Sequence, residues 1–326
     1  MNSMTSNRVR PLSLEDLGVT PIGMETVSLP AEEEIERLPD DNEVLTKVRA
    51  ALEMGFAGVI LSGPPGTGKS WYAKRIAHTI AGEPEAIRIV QFHTSYQYED
   101  FMEGFAPKDG GGFELQKKSF PLLCEDATER PDIIHVLLID EISRCDVARV
   151  FGEALTYMEV DKRGLEFTLA SGSSLVVPRN LVILATMNPW DKGVDELDVA
   201  LERRFAQIDM LPDVLALRAI LADKGADRAL IDRVAAFFEG VQKLDDEMVR
   251  LGHAYFNNCI DEASARRAWD FRLFPFFKKA CRLDKDMLSE IIRMWLRSFP
   301  PEGGIGDGGA ILPTVEDTQL QPGQAT

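Results

Sequence analysis

Eight residues, Gly63-Pro64-Pro65-Gly66-Thr67-Gly68-Lys69-Ser70, carry the spacing G-x-x-x-x-G-K-[ST]. In such a loop the glycines free the backbone to wrap its N–H groups around phosphate oxygens. Lys69 is then placed to reach the β- and γ-phosphates, and Ser70 to offer its hydroxyl to Mg²⁺. The flanks supply the required context: an apolar run, Gly58-Val-Ile-Leu61, leads in, and a helical pattern over Trp71–Ile80 leads out. Strand, loop and helix in that order aim a helix N-terminus at an anion. The segment predicts a site for a nucleoside triphosphate.

Three more groups fit a reaction at such a site. Leu138-Ile139-Asp140-Glu141 ends an apolar run in two carboxylates; Asp140 would hold the Mg²⁺ shell and Glu141 would polarise the attacking water. The competing reading makes the pair a cap for the next helix. Leu181-Val-Ile-Leu-Ala-Thr-Met-Asn188 is another apolar run ending in a polar amide, placed to hydrogen-bond a γ-phosphate or the water, although an Asn at a strand end is also an ordinary turn residue. Asp198-Val-Ala-Leu-Glu-Arg203-Arg204-Phe205 puts two arginines at a helix end. Arg204 could reach a γ-phosphate bound to a neighbouring subunit, stabilising charge on the transferred phosphoryl group; the alternative is an ion pair with Glu202 or Asp198.

The elements that must position these residues are legible from periodicity. Val44, Leu45, Val48, Ala51 and Leu52 recur at helical spacing ahead of the first strand. Strand-length apolar runs without alternation at Gly58–Leu61, Ala86–Phe92, Ile133–Ile139 and Leu181–Ala185 suit parallel strands buried on both faces. They predict a doubly wound α/β nucleotide-binding domain over residues 42–212. Beyond Pro212, periodic apolar positions in Val214–Leu221, Ala229–Phe238, Asp261–Phe277 and Lys285–Phe299 predict a small all-α lid over 213–299. Residues 1–41, with a dense acidic run, read as a flexible extension, and the Gly-, Pro- and Gln-rich residues 300–326 as a disordered tail.

Composition narrows the partners. The chain of 326 residues has a net charge of -17, which argues against direct, broad binding to a nucleic-acid backbone, since that needs many Lys and Arg contacts. Its 4 cysteines, Cys124, Cys145, Cys259 and Cys281, lack CxxC spacing, so neither a zinc site nor a disulfide framework is indicated. No run of about twenty apolar residues suggests a membrane span, and the first residues lack a signal-peptide core, so a cytoplasmic location is expected.

The phosphate loop, the LLIDE strand, the strand ending in TMN and the ERRF helix end follow the order and approximate spacing of AAA+ ATPases. Over residues 42–299 the chain resembles the McrB-like branch, named for the GTP-dependent subunit of modification-dependent restriction systems, with MoxR and dynein-related proteins as neighbours. Gln91–Phe105 (QFHTSYQYEDFMEGF) is similar to FHPSYSYEDFVEG, Ile139–Arg144 to IDEINR, and Gly252-His-Ala-Tyr-Phe256 to GHSYF. The family's N-T-A-D is replaced by Asn188-Pro-Trp-Asp191. The resemblance implies a P-loop domain with a helical lid, Asn188 as first sensor, Arg204 or Arg203 as an arginine finger acting in trans, and a ring, a hexamer, with a protein effector or substrate as partner. It further implies an insertion at Gly110–Ser119 and a hairpin over Asp161–Pro178, whose turn the sequence places at Asp161-Lys-Arg-Gly164. ATP is the expected substrate, as the common one of AAA+ proteins, with GTP the alternative from the McrB-like branch. For the lid's second sensor Arg266, Arg267 and Arg272 are all candidates.

Overall fold

The computed structural model describes residues 35–189 and 199–301. The acidic extension before Ile35, the Trp190–Asp198 segment and the tail after Pro301 lie outside the described residues, and the described residues from Arg37 onward fall in one compact unit.

Asn42 opens helix α1 (Glu43–Glu53), its side-chain oxygen accepting from the N–H groups of Val44 and Leu45. Leu45, Val48 and Ala51, spaced three apart, are its buried stripe. Then come β1 (Gly58–Ser62), α2 (Lys69–Ala81), β2 (Ile87–Gln91), α3 (Tyr98–Phe101), a hairpin of β3 (Glu103–Pro107) and β4 (Phe113–Lys117), α4 (Ser119–Glu129) and β5 (His135–Asp140). After two short helices, α5 (Val147–Phe151) and α6 (Ala154–Tyr157), a second hairpin, β6 (Glu166–Thr168) and β7 (Ser174–Val176), precedes β8 (Leu181–Met187), α7 (Val199–Glu202) and β9 (Phe205–Asp209).

Five strands form one sheet in the order β2-β5-β8-β1-β9, every neighbouring pair parallel. The centre is buried on both faces because side chains alternate across a strand. Ile60, Leu137, Ile139 and Ile183 point to one apolar cluster with Phe101, Phe120 and Phe151. Val59, Leu61, Val136, Leu138 and Leu184 join the other, against Leu45 and Val48 of α1 and Ile76 of α2. At roughly 1.5–3 kcal/mol for each fully buried side chain, these two layers fix the register of the strand ends.

The remaining helices, α8 (Val214–Asp223), α9 (Arg228–Gln242), α10 (Glu262–Ala268), α11 (Phe274–Ala280) and α12 (Lys285–Ser298), enclose a separate cluster built on Phe237, Phe238, Phe256, Phe277, Trp295 and Phe299. The periodic apolar stretch Asp261–Phe277 forms α10 and the start of α11, joined by a wider π turn at Trp269–Leu273. Pro275, in the first turn of α11, has no N–H to continue the regular ladder.

Three expectations need correction. A fifth strand, β9, was not among the expected runs; only Phe205 and Ile208 of its residues are buried, as suits an edge strand. The expected insertion at Gly110–Ser119 is the second half of a hairpin whose first strand begins at Glu103. The second hairpin turns at Leu169–Ser173, where the Leu169 N–H donates to Ser173 O at 2.8 Å, and not at Asp161–Gly164. Arg163 explains why: its guanidinium is buried, donating to Met158 O at 2.9 Å, Ala57 O at 2.7 Å and Leu181 O, so this turn is tied beneath the sheet. Among the described residues no helix is long and apolar enough to cross a membrane.

Candidate nucleotide-binding site

The C-terminal ends of β1, β8 and β5 lie side by side, the position at which parallel α/β sheets bind ligands. From β1 the chain enters Gly63–Gly68 and then α2. Gly66 and Gly68 adopt φ of 81° and 85°, a left-handed conformation that glycine reaches at little cost. Pro64, Pro65 and Thr67 complete the loop, with Thr67 Oγ1 donating to Pro64 O at 3.0 Å. Lys69 is buried, and its Nζ donates to Gly63 O at 2.8 Å and Pro64 O at 2.9 Å. Burial lowers its pKa, while the charges of Glu141 and Asp140 act in the opposite sense.

Ser70, the second residue of α2, donates its hydroxyl to Asp140 Oδ1 at 2.8 Å. That same oxygen accepts from Thr186 Oγ1 at 2.5 Å, and Thr186 Oγ1 in turn accepts from the Glu141 N–H at 3.1 Å. Thr186 is 1% exposed and was not singled out from the sequence. Its only sequence signal is a hydroxyl one place from the end of an apolar strand. Glu141 follows β5 with φ 59° and ψ 49°, the one left-handed residue other than glycine among those described. Such a conformation costs of order 1–3 kcal/mol and is held by its surroundings. Here the bond to Thr186 fixes the Glu141 N–H, and Arg144 Nε lies 3.5 Å from Glu141 Oε2. Asn188 follows β8, whose last residue, Met187, accepts the Gly63 N–H at 3.2 Å. The loop, Ser70, Asp140, Glu141 and Asn188 thus lie at one sheet edge.

Arg203 and Arg204 are elsewhere. They precede β9, and Arg204 O accepts from the Ala57 N–H at 2.8 Å, which puts both arginines at the N-terminal edge of the sheet. Five-residue strands at about 3.3 Å per residue separate this edge from the phosphate loop by roughly 15 Å. Both arginines pair with Glu159 Oε1, Arg204 at 2.6 Å and Arg203 at 3.2 Å, around a hollow of about 430 Å³. Glu159 is thus a partner shared by the two arginines, and Asp198 lies outside the described residues. The Arg204 side chain is 9% exposed and that of Arg203 72%.

Residues 58–205, from the first residue of β1 to the first of β9, match the family described as AAA domain (dynein-related subfamily). This stretch is an AAA domain. Among curated relatives, the Type IV methyl-directed restriction enzyme EcoKMcrB subunit of Escherichia coli (strain K12) is 36% identical over 224 residues, covering 64% of this chain and 49% of the relative. The Type II restriction enzyme BsuMI component YdiS of Bacillus subtilis (strain 168) is 28% identical over 188 residues, 45% of this chain and 55% of its own. The ATP-dependent zinc metalloprotease FtsH of Lachnoclostridium phytofermentans is 32% identical over 219 residues, 65% and 32%. The chain spans about half the length of the first two.

Around the AAA domain's loop, the groups that would meet a divalent cation are the Ser70 hydroxyl and the Asp140 carboxylate, hard oxygen donors already within 2.8 Å of each other. Mg²⁺ at phosphate sites is held by one or two such protein groups together with substrate phosphates and water, so the donor set fits. Of the second-sensor candidates, Arg266 donates to Glu262 and to Pro300 O, each at 2.6 Å.

Proposed function

We propose that the chain binds and hydrolyses ATP with Mg²⁺ in an oligomeric ring, a hexamer, and serves as the motor or switch subunit of a multi-protein complex of the restriction or defence type. The observation that carries this reading is the continuous bonded set from Ser70 through Asp140 and Thr186 to Glu141 at the mouth of the phosphate loop. In this reading the loop N–H groups and Lys69 bind the β- and γ-phosphates. Ser70 and Asp140 hold the Mg²⁺, which when bound offsets charge on the phosphate oxygens. Glu141 accepts the proton of the attacking water, and Asn188 orients that water. Arg204, or the more exposed Arg203, belongs to the next subunit's site, a role supported by their distance from their own loop. The protein effector on which the ring acts, a cytoplasmic location and the absence of direct nucleic-acid binding belong to the same proposal.

The 36% identity to a methyl-directed restriction subunit favours a second reading, a GTP-hydrolysing subunit of such a system; a MoxR-like remodelling role on a protein substrate is the third. Phosphate release measured with ATP and with GTP, with Mg²⁺ and with chelator, tests them together. Mg²⁺-dependent release from ATP above that from GTP is expected. A reversed preference transfers the reading to the GTP-dependent form, and no release from either overturns the enzymatic proposal.

A further inference from the structure

The Gly252-His-Ala-Tyr-Phe256 turn of the lid has no part in the chemistry above, yet it touches the phosphate loop directly. The Gly252 N–H donates to Pro65 O at 2.8 Å and the Ala254 N–H to Gly66 O at 2.9 Å. A Cβ on Gly252, whose backbone is ordinarily extended, would lie 2.0 Å from Gly66 C and 2.2 Å from Thr67 N. On the other side of the contact, a Cβ on Gly66 would lie 2.6 Å from Cδ2 of the Tyr255 ring. Each glycine leaves room for the other element. The turn itself is fixed in the lid by Phe256, 1% exposed, whose ring lies 5.8 Å from that of Phe238.

A phosphate loop turns its N–H groups inward to the anion and so leaves its carbonyls facing outward, where they need donors of their own. Four consecutive carbonyls here are all satisfied: Gly63 and Pro64 by Lys69, Pro65 and Gly66 by the lid turn. The two pairs differ in permanence. Lys69 divides its three donors between these carbonyls and an arriving phosphate, whereas the lid amides do not compete with the anion.

We propose that Gly252 and Tyr255 are positioning residues for the phosphate loop: the lid turn braces the Pro65–Thr67 backbone in its anion-receptive shape, so loop shape and lid docking change together. The proposal rests on the nucleotide-binding reading. It makes Gly252, remote in sequence from the loop and in contact with its outer side, a determinant of nucleotide affinity more than of turnover.

The test measures affinity for a fluorescent ATP analogue, together with KM and kcat for ATP hydrolysis, in the full chain and in Gly252→Ala, Tyr255→Ala, Gly225→Ala and Lys69→Ala. Gly225→Ala controls for general damage to the lid: Gly225 has φ of 83° and open space around it, so alanine strains the lid without meeting the loop. Gly252→Ala should weaken binding and raise KM by about ten-fold or more, with kcat at saturation within about two-fold of the parent. Tyr255→Ala should shift both in the same direction by less, and Gly225→Ala should leave both unchanged. Unchanged affinity in Gly252→Ala, or an equal loss in Gly225→Ala, overturns the brace while leaving nucleotide binding intact. If the parent binds no triphosphate, or binds it no better than Lys69→Ala, it is the underlying reading that fails. Should Gly252→Ala not fold, hydrogen exchange of the parent decides: peptides covering 63–70 and 250–257 should gain protection together on adding the ATP analogue. Protection confined to 63–70 overturns the proposal.

Discussion

Lys69 rests with its ammonium buried on two neutral carbonyls, an environment that leaves the charge only partly compensated and its pKa below the ordinary lysine value. An arriving phosphate compensates it in full, so Lys69→Ala should abolish triphosphate binding by calorimetry. Glu141→Gln should bind as the parent does but lose about 10²–10⁴-fold in turnover, the usual contribution of a positioned proton acceptor. Equal binding defects in the two variants would contradict the division of roles. Thr186→Val keeps the side chain's shape and removes the hydroxyl that joins Asp140 to the Glu141 N–H. Leaving that N–H without its acceptor, while Asp140 Oδ1 keeps only Ser70, should cost about 1–3 kcal/mol of stability, read from thermal melts, together with a drop in kcat at nearly unchanged affinity. A Thr186→Val variant with parental kcat would show that the network does not position Glu141. Loop and carboxylates were legible in the sequence as candidates because their motifs depend on local spacing. Thr186 was not, because it meets Asp140 only through the pairing of β5 with β8.

At the scale of elements, what could be read in advance was what is buried on both faces. β1, β5 and β8 announce themselves as uninterrupted apolar runs, whereas β9 buries only Phe205 and Ile208 and sits at the edge, where half its surface needs no core. The turn at Asp161–Gly164 misled for a related reason: it is a real turn, but a buried arginine ties it under the sheet, and a guanidinium satisfied by three carbonyls has no sequence signature. The Gly252–Phe256 turn likewise showed its glycine and aromatics without showing what they touch. It carries a further consequence through His253, which is 8% exposed; burial lowers its pKa from the ordinary 6.5, against the opposing pull of Asp213. The folded chain therefore holds this proton less readily than the unfolded chain. The neutral ring's contribution to stability is complete above about pH 6.5 and declines as pH falls through that value. Thermal melts over a pH series should show this decline, and His253→Asn should flatten it. A slope identical in parent and variant would assign the pH dependence to other groups.

For the whole molecule, Arg203 and Arg204 at the start of β9 and the phosphate loop at the end of β1 occupy opposite edges of one sheet. Light scattering should therefore find larger assemblies with a non-hydrolysable triphosphate than without it; a monomer at micromolar concentration in both conditions would remove the case for a ring. Arg204→Ala should lower turnover by about 10³-fold or more, as loss of an arginine finger does elsewhere. Mixed with inactive Lys69→Ala chains, it should regain part of the activity, because some boundaries then join an intact loop to an intact finger. If mixed assemblies form and stay silent, Arg203 carries the role or the finger acts within its own chain. In the proposed ring, with the finger acting across a boundary, opposite placement also gives the subunit a direction. Two chains cannot satisfy each other face to face, since a loop meeting a finger leaves a bare finger at one end and a bare loop at the other. An open row of such chains always holds one composite site fewer than its members, and only closure makes the two numbers equal. Activity per chain should then rise with concentration toward a plateau that marks the closing of the circle, and a chain added to block one end should silence a single site and leave the rest of the row working.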